Sequence, residues 1–126
     1  MCFAVGYSSH PDVSTTGTAT LAERRIGSTW SVMPTPNPQG SSFAGLLGVS
    51  CPGRLSCHAV GSTDTPGPIP IAERFDGASW LLEFPAPSIL NPFLAGVSCP
   101  DRTFCMAVGG YTHLSSGGTL SAKWTP

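Results

Sequence analysis

A chain of 126 residues with 15 Gly, 13 Pro and only 10% charged side chains has the size of one domain and is punctuated against long helices. Its net charge of −1 and pI near 6.2 exclude the basic footprint that nucleic acid or an anionic membrane requires. No run approaches the ~20 apolar residues of a membrane-spanning helix.

In chain order, the first element is a strand, CFAVG, from Cys2 to Gly6. A variable stretch from Tyr7 carries His10 and Asp12. It leads to LAERRIGSTW (Leu21–Trp30), read as a strand that turns at Ile26-Gly27, and a Pro-rich connector, PTPNP, begins at Pro34. The phrase GVSCPGRLSCHAVG, from Gly48 to Gly61, predicts a strand over Leu46–Cys51, a turn closed at both ends by cysteine, and a strand over Cys57–Gly61. A variable loop with Asp64 follows. IAERFDGASW (Ile71–Trp80) then predicts a strand over Ile71–Phe75, a turn at Asp76-Gly77 and a strand over Ser79–Phe84. Asp-Gly is the stronger of the two turn signals, because tight hairpins ask for positive φ at their central residues. After PAPSILNP from Pro85, the cysteine phrase returns as GVSCPDRTFCMAVG, 48 residues beyond its first copy. A loop with Tyr111 and His113 and a last segment, LSAKW (Leu120–Trp124), complete the series.

CFAVG, CHAVG and CMAVG are three copies of one element, and the two AER segments are offset by 50 residues. A period near fifty lies in the range of propeller blades. The predicted fold class is all-β: antiparallel four-stranded β-propeller-type blades, with strands A to D in each and the propeller incomplete. Residues 1–37 form a partial blade (B, C, D), 44–86 a complete one, and 93–126 a partial one (A, B, C).

Within a unit, strands A and B form a hairpin whose neck brings two cysteines to opposing positions, a separation that suits a disulfide. Cys51–Cys57 and Cys99–Cys105 are therefore expected to be bonded. Structural zinc, the rival reading, prefers ligand spacings of two to four and four convergent ligands. These pairs sit in separate repeats without a neighbouring histidine pair, so no metal or other cofactor is expected. Cys2 holds the second position of the motif, its partner position falls before residue 1, and it is expected to be unpaired. Paired cysteines favour an oxidising compartment, while the opening MCFAVGYSSH has neither the basic segment nor the apolar run of a secretory signal. Both features are met by an extracellular or cell-wall location as part of a longer exported protein. Further blades of that protein, or self-association through open edges, would then complete the sheets.

The combined pattern GVSCP…C.AVG…AER..G..W…P.P resembles repeats of large exported actinobacterial proteins assigned to the kelch and galactose-oxidase-like β-propeller superfamily. The resemblance implies a four-stranded blade and an extracellular or cell-wall setting. RFDGASW is similar to the Asp-box of sialidase-type propellers, but Asp76 abuts Gly77 and the first unit has no Asp there, which argues against a sialidase.

Residues that recur in every unit serve the unit, and those that vary are free to serve a ligand. Glu23-Arg24 and Glu73-Arg74 recur in register, with side chains on opposite sheet faces, and are read as inter-strand or inter-blade pairs. Trp30 and Trp80 recur after the C–D turn and are read as packing between blades. His58 takes the place of Phe3 and Met106 and is read as a filler of an apolar position, not a ligand. The A–B and C–D turns share one end of the sheets, and the variable B–C and D–A connections share the other. His10, Asp12, Asp64, Tyr111 and His113 lie on that second end and are the candidate ligand-binding residues. No catalytic constellation of known spacing occurs. The chain thus reads as a non-catalytic module displaying loops to a protein, peptide or glycan; the alternative is a piece of a propeller hydrolase or oxidase whose catalytic residues lie in other blades.

Overall fold

The computed structural model describes residues 1–9, 17–64, 69–83, 92–113 and 115–126, with position 113 described for its backbone. These residues form ten strands and no α-helix. The first sheet comprises β1 (Cys2–Ser9), β2 (Thr18–Ile26) and β3 (Thr29–Met33), in that order. The central sheet comprises β4 (Ala44–Gly53), β5 (Ser56–Thr63), β6 (Ile69–Phe75) and β7 (Trp80–Glu83). In the last sheet β9 (Phe104–His113) lies between β8 (Pro92–Asp101) and β10 (Ser116–Trp124). Every pairing within a sheet is antiparallel between chain neighbours, and no sheet closes on itself. The chain is therefore all-β, in three open antiparallel sheets.

Burial follows from the stacking of the sheets. The central sheet has neighbours on both faces, and β5 and β6 are buried almost continuously. In β9 the pattern alternates, with Cys105 and Ala107 buried and Met106 and Val108 exposed, as expected where only one face is covered. Ala22, Leu46, Ala59, Ile71, Phe75 and Trp80 fill the space between the first and central sheets, with Phe3 and Val5 packed against them. Val60 and Ala72 meet Leu94 and Ala107 between the central and last sheets. Leu46 and Leu94 hold the same place in β4 and β8 and are fully buried; each contributes roughly 1.5–3 kcal/mol by leaving water.

The two A–B hairpins repeat each other in detail. In β4 the register shifts between Leu46 and Gly48 and again between Ser50 and Gly53; in β8 it shifts between Leu94 and Gly96 and between Ser98 and Asp101. Such bulges bend a strand, and here they press the backbone of β4 onto Gly61 and that of β8 onto Gly109. A Cβ at Gly61 would stand 1.8 Å from the Gly45 carbonyl oxygen, and one at Gly109 1.9 Å from that of Phe93. The two cysteine pairs are disulfide-bonded, with Cα separations of 4.0 Å for Cys51–Cys57 and 4.2 Å for Cys99–Cys105; Cys2 is free and exposed.

The two C–D turns differ from the expectation drawn from Asp-Gly. The first hairpin turns tightly through Gly27-Ser28, with Ile26 paired to Thr29 and Gly27 at φ 62°. In the second, the last ladder pair is Phe75 with Trp80, and the chain turns through Gly77-Ala78, one residue on from Asp76-Gly77. Asp76 Oδ1 accepts from the backbone N–H groups of Ala78 and Ser79, both at 2.9 Å. The backbone closes the same loop, Asp76 N–H donating to the Ser79 carbonyl at 3.2 Å across Gly77-Ala78, so the Asp76 side chain reinforces the turn.

Candidate functional site

At the end of the sheets formed by the B–C and D–A connections, the Pro-rich connector is tied down by one threonine. Thr20 N–H donates to Asn37 Oδ1 at 2.9 Å, Thr35 Oγ1 donates to the Thr20 carbonyl at 2.9 Å, and the two threonine hydroxyls meet at 2.8 Å. Between β2 and this connector lies a cavity of about 330 Å³, lined among others by Thr18, Thr35, Asn37, Gln39 and Ser41. Its walls carry hydroxyls, amides and backbone carbonyls and no charged side chain, a set suited to neutral hydrogen-bonding groups. Thr35 and Asn37 thus hold the connector against β2; the cavity beside it left no signature in the sequence.

The expected ligand-binding residues divide. His10 and Asp12 lie outside the described residues, as does the side chain of His113, whose backbone pairs with Ser116 in the last sheet. Asp64 follows β5 and accepts from the backbone N–H groups of Ser42 and Phe43, at 3.1 and 3.0 Å, and from the Ser42 hydroxyl. Its carboxylate thus fastens the start of β4, a structural task. Tyr111 sits in β9 with its ring against Gly118, where a Cβ would come within 2.8 Å of it.

The recurrent acidic residues also part ways. Glu73 faces the first sheet and is fully buried. No cation pairs with it among the described residues, and neither carboxyl oxygen makes a hydrogen bond of good geometry. Burial pushes its pKa up to about 8, and the nearby Thr20 hydroxyl offsets only part of this. Glu73 is therefore protonated at neutral pH, so the ion pair expected of it does not form. Arg74 points to the other face, and its charge acts on Glu83. Trp80 packs between sheets, 5.4 Å from Phe3 and 5.6 Å from Phe75 by ring centroids. Trp30 stands on the outer face of the first sheet, 46% exposed, because no sheet covers it there. Glu23, on that same face, is partly buried opposite Ala4 and Val32, and Arg24 lies opposite Phe3.

A second polar cluster lies between the central and last sheets. His58, fully buried in β5, brings Nδ1 to 3.3 Å from Glu83 Oε2 in β7. The same carboxylate oxygen accepts from Trp124 Nε1 of the last sheet at 3.3 Å. The Glu83 carboxyl is held below the ordinary range, first by the adjacent His58 and then by Trp124 and Arg74, against the opposing effect of burial. His58 also approaches the second disulfide: a ring nitrogen and the sulfurs of Cys99 and Cys105 lie within 4.8 Å of one another, all three residues buried. Sequence reasoning missed this meeting. It placed His58 in one repeat and the cysteines in the next, and only the face-to-face stacking of the sheets brings them together.

No family model matches the chain, and neither a curated protein nor a solved structure matches it. Among the described residues no helix is long and apolar enough to cross a membrane.

Proposed function

We propose that the chain is a non-catalytic β-propeller-type repeat segment of an exported or cell-surface protein, presenting its variable loop end to a neutral glycan or a peptide. The observation that carries this reading is the division of labour between recurring and varying residues. The cysteines of the two full phrases, Leu46 with Leu94, and Phe75 with Trp124 are taken up by disulfides and by packing between sheets. The uncharged cavity beside Gln39 lies instead at the loop end, where a rigid scaffold displays binding groups. The propeller arrangement draws support from the close approach of the first strands: a Cβ at Gly48 in β4 would stand 3.0 Å from the Ala95 oxygen in β8. Two disulfides suit an oxidising, extracellular setting. A perturbed carboxyl such as Glu73 often marks a catalytic site, but here it is sealed from solvent between two sheets, out of reach of a substrate.

The outer faces of the stack fit a further unit of the same repeat, whether from the same protein or from a second copy. Trp30 and Val32 are exposed on the first sheet, and Phe93, Met106 and Val108 on the last. A groove of about 590 Å³ bounded by Phe93, Ala95, Val108 and Leu120 runs along the last sheet. The corresponding place on the central sheet, at Val60 and Ala72, is filled by Leu94.

Binding of the oxidised chain to glycan and peptide arrays tests the reading. Retention of neutral oligosaccharides or peptides, weakened about fivefold or more by Gln39→Ala or Tyr111→Ala, is expected. Absence of retention on both arrays, or turnover of a glycosidic or peptide bond by the chain, would overturn it.

A further inference from the structure

We propose that the Cys99–Cys105 pair, once reduced, forms a site for one thiophilic metal ion of the Zn²⁺ class with His58 as third ligand. This goes beyond the scaffold reading and does not depend on it. In the oxidised chain each sulfur is bonded to the other and the cluster holds no metal ligand set. A dithiol changes that: it transfers two electrons and two protons to the disulfide, the S–S bond breaks, two thiols form and the dithiol leaves as a disulfide. Metal binding then releases the two thiol protons to solvent and leaves two thiolates and a neutral imidazole on the ion.

Three observations place the site here. The donor atoms lie within 4.8 Å of one another; Zn–S and Zn–N bonds of about 2.3 and 2.0 Å put tetrahedral neighbours roughly 3.6 Å apart, so the sulfurs, bonded to each other in the disulfide, separate on reduction while the imidazole nitrogen closes in slightly. Both ring nitrogens of His58 are buried without a hydrogen bond of good geometry among the described residues, and Nδ1 stands 3.3 Å from Glu83 Oε2. A carboxylate behind a histidine is the usual support for a metal-bound imidazole. Two sulfurs and one imidazole select zinc or cuprous copper over magnesium and calcium.

The repeat supplies an internal control. Cys51–Cys57 has the same spacing of six residues, yet the side chain that its sheet receives from the preceding one is Phe3, which packs on Phe75 and Trp80 and offers no donor. One site per chain is therefore expected.

The full chain, reduced with a dithiol and desalted without oxygen, is titrated with Co²⁺ as a spectroscopic substitute for Zn²⁺. One equivalent should bind with thiolate-to-cobalt charge-transfer absorption, and the oxidised chain should show none. His58→Phe should weaken binding about tenfold or more, Cys51→Ser with Cys57→Ser should leave it unchanged, and Phe3→His should create a second site. If the reduced chain loses its strand circular dichroism, Co²⁺ should restore it in the native sequence and not in His58→Phe. No charge-transfer band, equal binding or equal recovery with His58→Phe, or loss of binding in the Cys51/Cys57 variant would each overturn the proposal.

Discussion

Phe3 and His58 occupy the same position in successive sheets, and each places its ring on an aromatic of the sheet that follows. Phe3 lies 4.9 Å from Phe75, and His58 lies 6.2 Å from Trp124. Phe75 stands opposite Cys57, and Trp124 opposite Cys105, so the two interfaces are built to one plan. Because a phenyl ring already fills the first interface, oxidised His58→Phe should be as stable as the native chain or slightly more so, relieved of a buried unpartnered nitrogen. His58→Ala should cost roughly 3 kcal/mol by leaving a cavity. Urea denaturation compares them, and equal losses from both substitutions would contradict the shared plan.

The glycine of the AVG element makes a sharper contrast. Gly61 and Gly109 each lie under a bulged first strand, whereas a Cβ at Gly6 would meet nothing within 4 Å. Gly61→Ala and Gly109→Ala should each destabilise by about 3 kcal/mol or more, since the obstacle is backbone and cannot swing away. Gly6→Ala should stay within about 0.5 kcal/mol. Denaturant midpoints of the three variants check this ordering.

Glu73 predicts an unusual pH dependence. Its pKa rises from 4.5 in the unfolded chain to about 8 in the fold, so the folded state holds the proton more tightly. The associated stability is complete below about pH 4.5 and is lost as pH rises through 8. Between pH 5 and 8 the native chain should lose up to about 1.4 kcal/mol per unit from this group, and Glu73→Gln should flatten that slope. The same slope in both proteins would show that the carboxyl is not buried.

The exposed apolar outer faces predict reversible self-association. Sedimentation should find mass rising with concentration, and Trp30→Asp or Met106→Asp should shift the chain toward monomer. A native chain that remains monomeric across the concentration range would mean that these faces do not pair.

The period, the strands and the cysteine pairing were legible because the chain writes its unit more than once, so Cys57 could be compared with Cys2 and Cys105 at the same place. What lay between sheets was not legible. Nothing in the local pattern around Glu73 distinguishes it from Glu23, yet Glu73 faces the first sheet and is sealed while Glu23 sits on an outer face. Asp64 looked free for a ligand because its loop varies, but its carboxylate is used by the backbone of Ser42 and Phe43. Asp76-Gly77 signalled a turn, but the turn residues are Gly77-Ala78, one place on, because Asp76 pairs its N–H with the Ser79 carbonyl and caps the turn with its side chain.

The stacking of the sheets is the claim on which the rest depends, and nuclear Overhauser contacts between aromatic rings in the oxidised chain test it most directly. The Phe3 ring should show contacts to Phe75 and Trp80, and the His58 ring to Trp124. Contacts from Phe3 to Trp30, or none between His58 and Trp124, would mean that the three sheets are not stacked in this order.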